Sequence, residues 1–234
     1  MTTEDQFIDF KCPYCGGPIS FPADHVNTVQ ECPGCFENVV VPGDGGVVGR
    51  KLPVPITTAR LVLRRLRGQD WKDLLEFLSD EEMFQFLEGR PLDEEQITRW
   101  LESDNHVRLT TANQPFCFGM QEQATGKLMG YVSLSHAEPQ LSQVTLSAMV
   151  NRQYQRKGFA TEAVTAVLSF CFQAAGLHRV AAFGDSRNRA AGRLFEKCGM
   201  RREGEFRQDR WVNGEWVNTV WHAMLRADWR TGQS

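Results

Sequence analysis

The sequence predicts an α+β protein, a central sheet with helices on both faces, standing behind a small cysteine-rich domain. Three observations predict it. From about residue 60 onward, strand-like and helix-like periodicities alternate, which is the pattern of a layered mixed domain. A stretch rich in glycine and proline, residues 43–55, shows neither period and reads as a joint. Upstream of that joint, four of the seven cysteines fall within 24 residues. The expected division is 1–44 for the cysteine-rich domain, 45–55 for the linker and 56–234 for the main domain.

Bulk properties narrow the class. The hydrophobic content of 41% and charged content of 24% are those of an ordinary globular chain. No apolar run reaches the length that crosses a bilayer. The opening Met1–Gln6 is polar and acidic and has no basic start or apolar core, so a secretory signal is not expected and a cytoplasmic location is. Residues 1–50 hold Lys11 and Arg50 against seven carboxylates, a balance of -5 that leaves +2 for the remainder of the total -3. Neither part has the positive excess of a phosphate-backbone binder, so nucleic acid is not an expected partner.

The elements follow in order. Arg60–Arg65 is β-rich. Asp70 is placed to cap a helix whose Trp71, Leu74, Leu75 and Leu78 share one face, and Asp93 to cap a second carrying Ile97, Trp100 and Leu101. Strands are expected at 115–122 and 128–135, joined as a hairpin by the turn residues 124–127, with a third at 144–150. A long helix over about 158–175 presents Ala160, Ala163, Val164, Val167, Leu168 and Cys171, and Gly176 ends it. A short strand at 179–183 and a helix at about 188–198, ended by Gly199, come next. The last unit is a hairpin, 204–211 with 216–224, turning at Asn213-Gly214, a pair that accepts positive φ. Trp211, Trp216 and Trp221 on it read as one packed face. Cys117, Cys171 and Cys198 lie in apolar segments and read as small core residues.

The cysteine quartet is two Cys-x-x-Cys pairs, Cys12/Cys15 and Cys32/Cys35, with 16 residues between them. A two-residue gap lets both sulfurs of a tight turn face one point, and two such turns supply four soft ligands at tetrahedral corners for Zn²⁺. A redox site needs only one pair opening a helix, and disulfides need an oxidising compartment. The zinc reading is preferred, as a zinc ribbon, with the metal closed off and structural. His25 between the pairs reads as a surface residue. With four thiolates the ribbon is more acidic still, which favours a protein partner, or simple stabilisation of the terminus, over RNA.

The segment Gln155-Arg156-Lys157-Gly158-Phe159-Ala160 lies between an expected strand and helix. Consecutive amides at a helix N-terminus hold a diphosphate where small residues let the backbone approach, and Gly158 and Ala160 are small while Arg156 and Lys157 are cationic. The spacing resembles the Gln/Arg-x-x-Gly-x-Gly/Ala signature of the GNAT acetyltransferases. Downstream, Asn188 through Met200 resembles that family's second signature, in which an asparagine caps a helix and contacts the CoA arm. Thr58-Ala-Arg60-Leu-Val-Leu-Arg64 and Glu203-Gly-Glu-Phe-Arg207 resemble its ribosomal-protein N-terminal acetyltransferase branch. The resemblance spans residues 57–225 and leaves out the ribbon.

The resemblance implies the GNAT fold, with a mixed, mostly antiparallel sheet, and acetyl-CoA as cosubstrate. It implies an acyltransferase passing acetyl to a primary amine, of a protein N-terminus or a small molecule, by direct attack. The implied cofactor contacts are Met149 and Val150 on the third strand, residues 155–160 and Asn188. No catalytic base stands out. His136, Glu205 and Asp209 lie near strand ends, and water is an equal alternative. The serine that the branch often carries three residues after the asparagine, proposed to protonate the departing thiolate, is Ala191 here, leaving Tyr154, another side chain or solvent. That departure keeps a second function open, an acetyl-CoA-binding sensor or scaffold with impaired catalysis. The acceptor, the oligomeric state and the ribbon's partner are not legible.

Overall fold

The computed structural model describes residues 7–43, 50–104, 106–136 and 142–231. The cysteine-rich domain consists of two small sheets. In one, β1 (Phe7–Lys11) pairs antiparallel with β2 (Pro18–Pro22). In the other, β3 (Val29–Glu31), β4 (Asn38–Val40) and β5 (Arg50–Lys51) lie side by side. Phe10, Ile19, Val39 and Val41 form its buried core with Cys12 and Cys32. Of the stretch expected as a linker, residues 44–49 lie outside the described residues. Arg50 and Lys51 add the third strand to the ribbon sheet, because Val40 and Val39 offer them an open edge.

The ribbon does not hang free of the main domain. The Asn38 side chain is buried between them, its Nδ2 donating to Thr110 Oγ1 at 3.0 Å while its Oδ1 accepts from the Leu109 amide at 2.7 Å. Both halves of one amide are thereby satisfied across the joint. Arg108 donates to the Phe36 carbonyl at 3.1 Å and pairs with Glu37 at 3.2 Å. Val29, Leu52 and Val54 pack against the main core.

The main sheet has eight strands: β6 (Ile56–Thr57), β7 (Leu61–Arg64), β8 (Phe116–Glu122), β9 (Leu128–Ser135), β10 (Gln143–Val150), β11 (Arg179–Asp185), β12 (Arg201–Val212) and β13 (Glu215–Leu225). Their spatial order is β12-β13-β11-β10-β9-β8-β7-β6. Every neighbouring pair is antiparallel except β10 with β11. This is the mixed, mostly antiparallel sheet that the resemblance implied. Asn213 and Gly214 take φ of 49° and 88°, as their turn requires.

Helices cover both faces. On one, α1 (Trp71–Leu78) and α2 (Glu94–Asp104) bury Leu74, Phe77, Leu78, Ile97 and Leu101 against Cys117 and Leu128. Each such side chain contributes about 1.5–3 kcal/mol. On the other face α3 (Phe159–Ser169) and α4 (Arg189–Lys197) pack onto the larger core. A short α5 (Arg226–Thr231) follows β13 and was not anticipated. Cys117, Cys171 and Cys198 are all buried.

Three local expectations meet different outcomes. Asp93 caps α2 in a reciprocal box, its Oδ1 accepting from the Gln96 amide at 2.8 Å and Gln96 Oε1 accepting from the Asp93 amide at 2.9 Å. Asp70 stands at the N-cap of α1 but makes no side-chain bond to that helix. It is buried and takes two hydrogen bonds from Arg64, both at 2.8 Å, and a third from the Arg67 amide at 2.7 Å. The long helix is not α-helical to its end. After Ser169 it widens into a π-turn, Phe170–Ala174, closed by the Ala175 amide on the Phe170 carbonyl at 2.9 Å.

Gly176 ends that turn at φ 69°, and its role reaches past the helix. A Cβ there would lie 2.0 Å from the Asn27 carbonyl oxygen, so the ribbon's backbone occupies the space that any other residue would fill.

Candidate functional site

The parallel pair at the middle of the sheet is short. β10 pairs with β9 as far as Val150 and β11 pairs with β13 as far as Asp185, yet β10 and β11 pair with each other only from Gln143↔Arg179 to Thr145↔Ala181. Beyond that point Leu146–Val150 and Ala182–Asp185 have separate partners and none in common, so the sheet is opened at its centre. Met149 and Val150 are on the β10 lip of this opening. The Met149 side chain turns toward α2, with its sulfur 3.8 Å from Tyr131 Oη, while Val150 is buried on the α3 side.

At the end of β10 the chain turns into α3 through residues 151–158. Asn151 Oδ1 accepts from the Gln153 amide, and Gln155 Nε2 donates back to the Val150 carbonyl at 2.9 Å, which folds the loop onto the strand. Arg156 at φ 58° and Gly158 at φ 85° are both left-handed, and such alternation turns successive amides toward one concavity. Among the described residues the N–H groups of residues 156–161 have no acceptor within the protein. The Phe159 ring does not face the concavity. It is buried in the core, so this residue offers its amide alone. Ala160 is half-buried against the same core, and the Arg156 and Lys157 side chains are exposed.

A brace behind the loop was not legible as such. Arg60 donates to the Lys157 carbonyl at 3.0 Å and to Glu162 at 2.7 Å, and lies over the Phe159 ring at 4.2 Å. Glu162 also accepts from Thr58 Oγ1 at 2.6 Å and the Arg60 amide at 2.8 Å. Burial opposes ionisation of Glu162, but these donors prevail and hold its carboxyl below the ordinary value. The pair joins residues 102 apart in sequence, Arg60 from a motif already singled out and Glu162 from the first turn of α3.

Asn188 is the N-cap of α4, its Oδ1 accepting from the Ala191 amide at 3.1 Å. Its carbonyl oxygen is thereby committed to the helix, and only its NH₂ can serve a ligand. Asp185, just before it, is held below the ordinary carboxyl value, since the Arg187 bonds outweigh its burial.

The three positions weighed as bases are occupied or misplaced. Asp209 accepts from Thr219 with both oxygens, at 3.1 and 2.6 Å. Glu205 accepts from Arg202 at 2.6 Å and Asn218 at 2.9 Å. His136 lies beyond β9 beside Gln143, at the closed end of the β10–β11 pair, in a cavity of about 560 Å³ between ribbon and main domain. Burial keeps its pKa down. Tyr154 stands behind the loop with its ring edge toward Phe159 at 6.4 Å.

On the α2 side of the opening, Ser147 Oγ and Ser133 Oγ are 2.7 Å apart. Across from them Phe183 and Trp221 stack at 4.7 Å with Arg210 over Phe183. The final hairpin reaches over this side, Asn213 Nδ2 donating to the Phe84 carbonyl at 3.1 Å and Arg210 to Glu88 at 2.7 Å. The three tryptophans do not form one packed face: Trp211 and Trp216 pair edge-on but are 54% and 57% exposed. The reason is their place at the tip of the final hairpin, one residue pair from its turn, whereas Trp221 lies further in and stacks on Phe183.

The four ribbon cysteines converge, all their sulfurs lying within 4.8 Å of one another. Cys12 Sγ is 3.6 Å from Cys35 Sγ, and Cys15 Sγ 3.8 Å from Cys32 Sγ. A tetrahedral centre with Zn–S of about 2.3 Å spaces its sulfurs about 3.8 Å apart, whereas a disulfide needs about 2.05 Å. The Tyr14 and Gly34 amides each donate to a sulfur at 3.4 Å, as suits thiolates. The donor set fits zinc. His25 is not part of it.

The opened mixed sheet defines the class. A solved acetyltransferase of the GNAT family from Bacillus anthracis shares the fold at a TM-score of 0.67, with 25% identity over 74% of this chain and 98% of that one. It is thus with N-acetyltransferases that the architecture belongs. An uncharacterised N-acetyltransferase of Bacillus subtilis is 28% identical over 74% of this chain and 98% of its own length. The ribosomal protein uS5-alanine N-acetyltransferase of Escherichia coli is 24% identical over 77% of this chain and 95% of its own. The family model described as the acetyltransferase (GNAT) domain matches residues 60–201, and the chain belongs to that family. It is an N-acetyltransferase that uses acetyl-CoA.

Proposed function

We propose that acetyl-CoA lies in the opening between β10 and β11, with its diphosphate on the amides of residues 156–161, and that its acetyl group passes to the primary amine of a protein N-terminus or of a small molecule. One observation carries this reading: six successive N–H groups without an internal acceptor, at the N-terminus of α3, directly beside the unpaired edge of β10. An anion there meets the partial positive charge of the helix end, and Arg156 and Lys157 add to it. The β10 lip then offers backbone groups to the pantetheine arm and to the thioester carbonyl, where a positioned donor favours the charge that develops. The NH₂ of Asn188 faces the arm from the other lip. The amine approaches from the α2 side, past the Ser133–Ser147 pair and the Phe183–Trp221 stack. The neutral amine attacks the carbonyl carbon, a C–N bond forms, and the C–S bond breaks.

The ribbon is proposed to hold one Zn²⁺ through Cys12, Cys15, Cys32 and Cys35. Four thiolates close the centre to substrate, so the metal would hold β1–β4 together and nothing more. One face of the ribbon already rests on the 107–110 segment and on Gly176, so its first partner is its own main domain.

Calorimetry tests the site. Gly158→Glu adds a negative charge beside the amides proposed to hold the diphosphate, and acetyl-CoA affinity is expected to fall by at least about 30-fold while circular dichroism stays unchanged. Gly158→Ala isolates the strain of a left-handed residue, about 1–2 kcal/mol, and is expected to weaken binding far less. Equal affinity of the folded Gly158→Glu protein and the parent would sink the assignment. Acetyl transfer to any amine in a panel separates the enzyme from a sensor without turnover.

A further inference from the structure

The underside of α4 holds a cavity that the reading above leaves unused. It has a volume of about 300 Å³ and runs from Asn188 and Ala191 at the opened strands, past Gly184 and Gly192, to the ring of His222 on β13. The two glycines keep the passage clear. A Cβ on Gly192 would lie 3.7 Å from His222 Cε1 and 4.0 Å from its Nε2. His222 is 3% exposed, and its Nε2 is buried with no hydrogen-bond partner. The nearest carboxylate oxygen, of Glu196, is 3.8 Å away, beyond hydrogen-bond reach. An unpartnered imidazole nitrogen costs about 1–3 kcal/mol to bury, so its survival at the end of an open passage calls for a ligand.

We infer that His222 is the proton relay of the transfer reaction, working through solvent held in this cavity. The inference rests on acetyl-CoA lying between β10 and β11, which puts the leaving sulfur near Asn188 and Ala191. Ala191 offers no hydroxyl, and 300 Å³ is room for a short chain of waters. When the amine has attacked, its nitrogen carries a proton that must leave, and the sulfur needs one as the C–S bond breaks. His222 Nε2 takes the first through the cavity and returns it to the sulfur, which departs as a thiol. The imidazole ends as it began, and no other reactant enters.

The surroundings suit that cycle. Burial holds the imidazole below its ordinary pKa, so it rests neutral at pH 7 and is ready to accept. Glu196 on α4 works against that shift and Arg202 on β12 supports it. Arg189 and Arg193 of α4 line the cavity as well, while Asp185 at the end of β11 is held by Arg187, and Glu205 of β12 by Arg202 and Asn218. On β11 the residue paired with His222 is Ala182, which does not titrate. A proton arriving in the cavity therefore finds His222 the one buried base with an unused atom among the described residues lining it.

Two measurements on His222→Gln, with calorimetric acetyl-CoA binding as the reference, test the relay. The first titrates the thiol of enzyme-bound CoA by its thiolate absorbance. The relay predicts that its apparent pKa rises by about one unit in the variant, and a pKa equal to that of the wild type overturns it. The second follows acetylation of an alanyl peptide against pH. The wild type should lose kcat as pH falls through the His222 pKa, and the variant should lose that acid limb together with about 30-fold or more in kcat at unchanged acetyl-CoA affinity. Added imidazole should restore turnover to His222→Ala. An intact acid limb in His222→Gln overturns the relay alone. Failure of the wild type to bind acetyl-CoA would remove the placement of the cosubstrate, and the relay with it.

Discussion

Gly158 and Gly176 stand at the two ends of one helical segment, and both have a left-handed backbone, φ 85° and 69°. Their surroundings have nothing in common. Next to Gly176 the missing side chain's place is taken by the Asn27 carbonyl, 2.0 Å from where a Cβ would be. Next to Gly158 the one nearby atom among the described residues is the far end of Arg60, 3.3 Å from where a Cβ would be. One glycine is small so that the ribbon can dock. The other, on the proposed reading, is small so that a ligand can approach. Local sequence marks both as helix-end glycines, and only the neighbours tell the two uses apart.

That contrast can be broken at the ribbon end or at the loop end. The largest expected effect is removal of metal from the ribbon. Structural zinc in small domains contributes on the order of 10–16 kcal/mol of apparent binding energy, far more than six buried core residues and short strands hold by themselves. A strong chelator should release one metal per chain and abolish hydrogen-exchange protection over residues 8–41. The hydrogen-bonded amides of α3 from Ala163 onward should keep their protection and acetyl-CoA should still bind. Loss of cosubstrate binding on chelation would show the two ends to be one unit.

Gly176→Ala comes next. A 2.0 Å approach to backbone cannot be relieved by a rotamer change, so Asn27 must move, at a cost of about 3 kcal/mol or more. Thermal unfolding should shift downward by about 5 °C or more, with acetyl-CoA affinity within about threefold of the parent. A Tm equal to that of the parent would mean that the ribbon slides on its seat.

The smallest effect belongs to the brace behind Gly158. Glu162 has a lowered folded-state pKa, so its contribution is complete above its unfolded value of about 4.3 and fades as pH falls through the lower folded one. Arg60 is half exposed, and screening holds the pair to about 1 kcal/mol or less. Glu162→Gln should lower stability slightly at pH 7 and converge on the parent as pH falls through the folded-state value. A gap that stays constant as the carboxyl is protonated would assign the loss to packing.

The strand and helix order, both helix-terminating glycines, the reciprocal cap at Asp93, the Asn213-Gly214 turn and the two Cys-x-x-Cys turns were all legible, because each depends on residues within a few positions of one another. Asp70 does stand at the start of α1, but its carboxylate gives that helix no bond, because buried Arg64 is a stronger partner and a bidentate ion pair outcompetes a cap. His136 was misplaced because strand ends look alike in sequence, while the register puts it at the closed end of the parallel pair.

The amino-acid order by itself determined which segments form strands and helices, where α3 and α4 begin, and that four sulfurs can meet. Tertiary structure alone decided that β10 and β11 part after three residue pairs, that the ribbon seats on Gly176, that Arg60 reaches Glu162, and that His222 ends in a cavity beneath α4. Those outcomes depend on contacts between residues tens of positions apart, whose energies come from packing and charge in three dimensions and leave no period in the chain.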